Sequence, residues 1–226
     1  MADVPACIGI ILDGNRRWAK QKGLPKLEGH RVGLLTTLKA TIRAVRDKKI
    51  PHLAVFLFST ENWKREASEV AYLMDLFRMQ WESELKELGK EGVRVRFAGQ
   101  RERFSKDLQE AMASIERDTA DNTQLTLWAC MSYGGRAEIV AAARSLAAAG
   151  EEITEESLRN HLWTAEMPDP DIIIRTSGEK RLSGFLLWAG AYSELFFIDT
   201  MWPDFTKEHL EQVLKEYTQR ERRLGK

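Results

Sequence analysis

Short, continuously apolar runs recur along this chain, and each is followed by a stretch with helical periodicity. The runs are 7–12, 53–58 ("LAVFLF"), 93–98 ("VRVRFA"), 124–131 ("QLTLWACM") and 171–175 ("DIIIR"), with a sixth inside 194–199. Helical spacing of apolar residues fills 30–48, 66–89, 101–120, 135–149, 154–163 and 206–220. Strands that are apolar throughout need cover on both faces, which places helices on both sides of a parallel sheet. No Pro/Gly/Ser-rich linker and no internal repeat interrupts the alternation. The 226 residues therefore predict an α/β fold, a single domain over 1–226 with a central, mostly parallel six-stranded sheet flanked by helices.

In such sheets ligands collect beyond the carboxyl ends of the strands, and the polar clusters fall there. Asp13-Gly14-Asn15-Arg16-Arg17 follows the first run and Ser59-Thr60-Glu61-Asn62-Trp63-Lys64-Arg65 the second. Tyr133-Gly134-Gly135-Arg136 follows the fourth and Arg175-Thr176-Ser177-Gly178-Glu179-Lys180-Arg181 the fifth. Gly14 lets backbone approach a ligand, and a following helix would aim free N–H groups at it. Arginines grip phosphate oxygens in pairs, and a single carboxylate such as Asp13 suits Mg²⁺ that shares its shell with water and substrate phosphates. Two basic groups, Arg16/Arg17/Arg65 and Arg175/Lys180/Arg181, point to diphosphate binding in two places. Taken singly, each cluster also reads as a turn or a solvated helix surface. Four of them at the same end of successive strands make a site.

Charge and motifs narrow the chemistry. With 34 basic and 34 acidic side chains, the chain has no overall field to gather nucleic acid or an anionic membrane, so an anion site must be local. Cys7 and Cys130 lack metal-ligand spacing, and two cysteines fit a reduced, cytoplasmic setting. No apolar run reaches bilayer length, and a soluble protein is expected. Walker A, G-x-G-x-x-G, H-E-x-x-H and G-x-S-x-G patterns are absent. His30 opens a helix close after the Asp13 cluster, in reach of a ligand or in a capping role. Val70, Leu73, Met74, Phe77, Trp81, Leu85 and Leu88 form a long apolar stripe. A core face is its ordinary reading and one wall of a hydrophobic tunnel the sharper one, and periodicity by itself does not separate the two.

Eight segments in order carry a resemblance. "DGNRRWA" (13–19), "GHRVG" (29–33), "FSTENWKR" (58–65), "SYGGR" (132–136), "RTSGEKRLSGFLLW" (175–188), "YSELFF" (192–197), "WPDF" (202–205) and "RERRLG" (220–225) resemble the cis-prenyltransferases, of which undecaprenyl diphosphate synthase is the familiar bacterial member. The resemblance implies condensation of an allylic diphosphate, such as farnesyl diphosphate, with isopentenyl diphosphate to a cis-polyprenyl diphosphate of the undecaprenyl type. It also implies Mg²⁺ as cofactor, a homodimer and a hydrophobic tunnel; a lipid product would bring peripheral membrane contact. By resemblance Asp13 would bind Mg²⁺ with Glu194. Gly14, Asn15, Arg16, Arg17, Trp18, His30, Trp63 and Arg65 would hold the allylic substrate. Arg175, Arg181 and Ser183 would hold isopentenyl diphosphate. Asn62, with Ser59, would assist proton removal, although both are weak bases and the leaving diphosphate is an alternative acceptor. Arg222-Arg223-Leu224-Gly225 would reach the partner subunit's site.

Departures from the family pattern are Cys7, Glu66, Lys180 and Gly184; none removes a residue the chemistry requires, and a charged Lys180 would contact phosphate rather than metal. Burying each five-carbon unit is worth about 4 kcal/mol, so elongation continues until a wall stops it. Alternation along a strand places Leu57 with Ser59 and Met131 with Tyr133. Leu57 and Met131 are expected to narrow the tunnel toward shorter products, against the alternative of a compensated core and a C55 product. A non-catalytic family subunit would have lost Asp13 or the Arg175–Glu179 stretch, and neither is lost.

Overall fold

A computed structural model describes residues 4–220, without the side chains of residues 82 and 83. The sheet contains β1 (Cys7–Ile11), β2 (His52–Ser59), β3 (Val93–Ala98), β4 (Leu125–Tyr133), β5 (Ile172–Arg175) and β6 (Glu194–Phe197), in spatial order β3-β4-β2-β1-β5-β6. All five pairings are parallel. The order doubles back at β1, and the carboxyl ends of β1, β2, β4 and β5 open on a common crevice, as expected for a strand-order reversal. β1 and β5 are buried along their whole length, which is why they carry Cys, Gly and Ile without polar alternation.

The helices are α1 (Asn15–Gln21), α2 (Glu28–Val32), α3 (Leu38–Asp47), α4 (Ala67–Gln80), α5 (Lys86–Lys90), α6 (Lys106–Asp118), α7 (Gly135–Ala149), α8 (Glu155–Asn160) and α9 (Lys207–Gln219). The long helical patterns at 30–48 and 66–89 are each split by a π-helical turn, Gly33–Thr37 and Trp81–Leu85. A π turn frees carbonyls from the ladder. Here Trp202 Nε1 donates to Gly33 O at 2.9 Å and the buried Gln80 amide donates to Leu34 O at 3.3 Å. The larger core lies on the α3/α4/α6/α9 face, around Ile42, Leu53, Phe58, Phe77 and Trp81. The other face holds Cys7, Trp128, Tyr133, Ile173 and Phe185. On that face the buried Glu138 carboxylate takes the Tyr133 hydroxyl and the Thr164 hydroxyl and amide, pinning the start of α7.

The apolar stripe of 66–89 is mainly core: Trp81, Leu85 and Leu88 are buried, and only Leu73 and Phe77 of the stripe also line the central cavity. The pleat is broken twice where it matters. β2 is bulged between Phe56 and Phe58, so the consecutive Phe56 and Leu57 both face the cavity. In β4, Ser132 has φ 47°, and the chain flips there. Met131 consequently lies in the larger core and Tyr133 in the opposite one, so the expected alignment of Met131 with Tyr133 is corrected; Met131 shares the core of Leu34, Leu57, Leu73 and Phe77 but is not among the residues lining the cavity.

α1 and α2 cross at Gly29, where an added Cβ would sit 1.9 Å from Asn15 O. A backbone oxygen cannot yield as a side chain does. Gly29→Ala is expected to destabilise the protein by about 1–3 kcal/mol and to displace His30 from Asn15; urea unfolding of the variant measures the first and binding of a diphosphate ligand the second.

Candidate active site

Two parallel neighbours place the central pair. Ile11 of β1 is in register with Arg175 of β5, so the residue two beyond Ile11 meets the arginine that ends β5. Arg175 Nη2 lies 2.7 Å from Asp13 Oδ2, with the arginine side chain 5% exposed and the aspartate 29%. Arg175 Nη1 also donates to Arg181 O and, at 2.8 Å, to Ser183 Oγ. The Asp13 backbone is held on both sides: its N–H donates to Thr176 Oγ1 at 2.9 Å, and its C=O accepts from that hydroxyl at 2.7 Å and from the Trp202 N–H at 2.9 Å. Gly14 follows with φ 103°, and a Cβ there would lie 2.9 Å from Ser177 Cβ; only glycine can turn the chain into α1 this close to the 176–178 loop. Asp13 Oδ1 accepts the Gly14 N–H at 2.7 Å and lies 3.6 Å from Arg17. Arg17 itself is held by Ser177 and Glu179.

A cavity of about 820 Å³ opens beside this pair. Its polar floor is Asp13, Asn15, His30, Arg65, Arg136, Arg175 and Ser183, with Ser59 and Asn62 at one side. Its apolar wall is Leu34, Phe56, Leu57, Leu73, Phe77 and Leu187. An adjoining groove of about 710 Å³ shares Asp13, Asn15, His30 and Arg65 and adds Gly14, Arg16, Arg17, Lys20 and Lys26. Buried Asn15 Oδ1, His30 Nε2 and Arg175 Nε have no hydrogen-bond partner among the described residues. Buried polar atoms are normally satisfied, so these three mark where a polar ligand belongs.

The basic half is organised by a residue that the sequence reading missed. Glu69, 3% exposed on α4, lies 3.0 Å from Arg65 and 3.0 Å from Lys26, 3.8 Å from Arg16 and 3.9 Å from His30. Burial raises its carboxyl, but the Lys26 hydrogen bond and the charges of Arg65 and Arg16 outweigh that and leave it below the usual carboxylate range. The available signal was its position four residues after Arg65, on one helix face. Burial and then the Arg65 charge push the His30 imidazole down to about 4, against a smaller opposing pull from Glu69.

Several expected site residues stand elsewhere. Trp63 lines neither the central cavity nor the adjoining groove: its indole N–H donates to Ser132 Oγ at 2.8 Å, its ring packs on Phe58 and Phe104, and Arg103 covers it. It anchors the 60–64 turn to β4. Trp18 lies under Lys22 and outside both cavities. Arg181 is exposed, paired with Glu179 and outside the cavity lining; its contribution is a backbone carbonyl. Glu194 is in register with Ile172, at the far end of β6 from the level of Arg175, and pairs with Arg220. Within one chain it does not join Asp13, because the carboxyl-end crevice and the amino end of β6 are opposite edges of the sheet. Arg222, Arg223, Leu224 and Gly225 lie outside the described residues. Asn62 does line the cavity, but its Oδ1 accepts the Ser59 N–H at 3.0 Å while the Ser59 side chain caps the Asn62 N–H. That leaves the amide N–H groups, not the oxygen, free toward a ligand.

For Mg²⁺ the residues fit in a limited way. Among the described residues no three His, Cys, Asp or Glu side chains converge, so no all-protein cage exists. Asp13 lines the cavity, its Oδ2 taken by Arg175 and its Oδ1 by the Gly14 N–H with Arg17 nearby. A single carboxylate of this kind suits an ion that takes its remaining ligands from phosphate and water.

Comparison with known proteins identifies the family and the fold. Residues 11–225 match the family described as "Putative undecaprenyl diphosphate synthase". The isoprenyl transferase of Chromobacterium violaceum is 46% identical over 223 residues, covering 98% of this chain and 88% of the relative. The crystal structure of lavandulyl diphosphate synthase from Lavandula x intermedia in complex with dimethylallyl diphosphate superposes with a TM-score of 0.94 at 33% identity, covering 98% of each chain. A probable undecaprenyl diphosphate synthase from Campylobacter jejuni gives 0.85 at 30% identity, over 99% of this chain and 100% of that one.

His30, charged in the unfolded chain below its ordinary value near 6.5 and neutral in the fold down to about 4, binds fewer protons folded than unfolded between those values. Stability should therefore fall as pH drops from about 6.5 to 4; a His30→Asn variant is expected to lose that part of the dependence, and NMR titration of the His30 ring gives the midpoint directly. A midpoint at or above 6.5 would contradict the buried, cation-flanked placement. From the Asp13–Arg175 crevice, the matched family model and the relatives together, the chain belongs to the undecaprenyl diphosphate synthase family of prenyltransferases.

Proposed function

We propose that this protein condenses an allylic diphosphate, farnesyl diphosphate or a similar starter, with isopentenyl diphosphate units to give a cis-polyprenyl diphosphate, with Mg²⁺ held at Asp13. The observation that carries the reading is one cavity whose polar floor, Asp13–Arg175 with His30 and Arg65, meets an apolar wall of Leu34, Leu57, Leu73 and Phe77.

Arg16 and Arg65 and the Asn15 amide bind the allylic diphosphate at the start of α1, and His30 completes that side. Mg²⁺, when bound, supplies charge that favours departure of the allylic diphosphate. As the allylic C–O bond breaks, negative charge grows on the leaving oxygens, and the fixed guanidinium groups stabilise it without rearranging. Arg175 and Ser183 hold the isopentenyl diphosphate so that its double bond reaches the allylic carbon, with the Asn62 amide N–H groups orienting the substrate. The new C–C bond forms, and the proton lost from the isopentenyl unit passes to the departed diphosphate, a far stronger base than the Asn62 amide oxygen, which already accepts the Ser59 N–H. The wall residues keep water from the allylic cation.

A shorter product than C55 is the second reading, and one observation favours it. Leu57, set beside Phe56 by the bulge in β2, stands on the apolar wall of the cavity, where it would limit how far a growing chain extends. Homodimerisation is supported by β6, an edge strand with Tyr192 80% exposed just before it. No helix among the described residues is long and apolar enough to cross a membrane. A cytoplasmic setting, with a membrane met through the lipid product, is our reading, supported by two buried cysteines left as free thiols.

With labelled isopentenyl diphosphate, farnesyl diphosphate and Mg²⁺, chromatography should resolve polyprenyl products, lost at least about a hundredfold in Asp13→Ala, as expected when the carboxylate that would hold the metal is removed, and lost on chelation of the metal. Absence of product from any allylic starter would overturn the assignment. Leu57→Ala is expected to shift the product distribution upward by at least one five-carbon unit, whereas Met131→Ala should lower stability by about 2–5 kcal/mol and leave product length unchanged.

A further inference from the structure

Glu69 is a buried carboxylate in a place where the chemistry calls for an anion-binding surface. Arg65, Lys26, Arg16 and His30 converge on it, and Arg65, Lys26, Arg16 and His30 all line the groove that begins at Asp13. Glu69 itself lines neither that groove nor the central cavity. It is 3% exposed, and Arg65 and Lys26 each reach it at 3.0 Å while lining the groove. Lys26 is further balanced by Glu66 at 4.0 Å. The other acid near the groove, Asp13, is already matched by Arg175 and Arg17.

We propose that Glu69 is the built-in counter-anion of the allylic diphosphate pocket, competing with diphosphate for Arg65, Lys26 and Arg16 and thereby setting how readily inorganic diphosphate leaves. The inference rests on the reading of this pocket as the allylic diphosphate site. Each condensation leaves one inorganic diphosphate there: the allylic C–O bond breaks, its electron pair stays on the diphosphate, and the isopentenyl diphosphate carries the lengthened chain. The pocket must be emptied before the next round. A pocket with three uncompensated cations would retain a trivalent anion strongly; a carboxylate behind them lowers the local potential and offers the cations an alternative partner. It also keeps them ordered between rounds, when like charges would otherwise spread apart.

A purely structural Glu69 and a competing Glu69 predict opposite changes for the isosteric amide. Glu69→Gln keeps a carbonyl oxygen for Arg65 and Lys26 and removes the charge. Calorimetric titration of inorganic diphosphate into the full-length protein should show binding about tenfold tighter in Glu69→Gln than in wild type, with a lower inhibition constant for inorganic diphosphate against the allylic substrate and a lower kcat at saturation. Glu69→Asp, which keeps the charge, should stay within about threefold of wild type. Equal or weaker binding by a folded Glu69→Gln protein overturns the inference. A wild-type measurement stands beside it should that variant not fold: the ¹³C resonance of the Glu69 carboxyl should move as inorganic diphosphate draws Arg65 and Lys26 away, and no movement at saturation also overturns it. The pocket assignment fails separately. If wild type binds no inorganic diphosphate, or Arg65→Ala binds it equally well, the site reading falls; if both controls behave and Glu69→Gln is no tighter, only the role of Glu69 does.

Discussion

The structure turns on a guanidinium placed where it cannot be solvated. Arg175 ends a fully buried strand and is itself buried, so it must find a carboxylate and carbonyls within reach. Asp13, Arg181 O and Ser183 Oγ supply them. Removing one partner of such a pair leaves a buried charge uncompensated, at a cost of about 3–5 kcal/mol. The pair therefore ties β1 to β5, fixes the 175–184 loop, and through Thr176 and Trp202 locks the Asp13 backbone. The same geometry points a carboxylate and a set of donors at one space, so the groups that hold the crevice together are also those that would receive two diphosphates.

Around that pair the site is divided by charge. On the α1/α4 side, Arg16, Lys26, Arg65 and His30 gather about Glu69; on the β5 side, Arg175 and Ser183 face α7, whose start carries Arg136. His30 lies so deep among cations that it is held neutral, and it can offer either a donor or an acceptor without adding charge. Ser132, Ser177 and Ser183 are left-handed; Ser183 lines the cavity and the other two are buried behind it. Backbone conformations of that kind cost energy and persist where surrounding contacts dictate them; Ser132 receives the Trp63 indole and Ser177 receives Arg17.

Much of this was legible in the residues. Six apolar runs became six strands within one or two residues of their expected limits, because a strand covered on both faces leaves an unbroken apolar signature. The clusters after β1, β2, β4 and β5 fell on one crevice because parallel strands all end on the same side. Asp13, Asn15, His30, Ser59, Asn62, Arg65, Arg175 and Ser183 line the cavity as expected. Trp63, Trp18, Arg181 and Glu194 do not, since a motif residue can serve by anchoring a turn, lending a carbonyl or acting on another edge of the sheet. Glu69 went unread because one more acid on a charged helix carries no pattern until three-dimensional neighbours give it meaning.

The division between the two levels is physical. Sequence by itself determined what depends on local periodicity and on chain direction: strands, helices, parallel order, and the end of the sheet at which polar residues gather. Tertiary structure decided what depends on breaks in that periodicity and on contacts between distant segments. The bulge in β2 turned both Phe56 and Leu57 into the cavity, and the left-handed Ser132 sent Met131 and Tyr133 to opposite cores. Only packing α4 against the start of α1 and α2 brought Glu69 beneath four basic side chains from separate parts of the chain. A side-chain period can be counted along a sequence; the place where backbone strain resets it, and the charge that a fold buries behind another, are set by the contacts the whole chain makes.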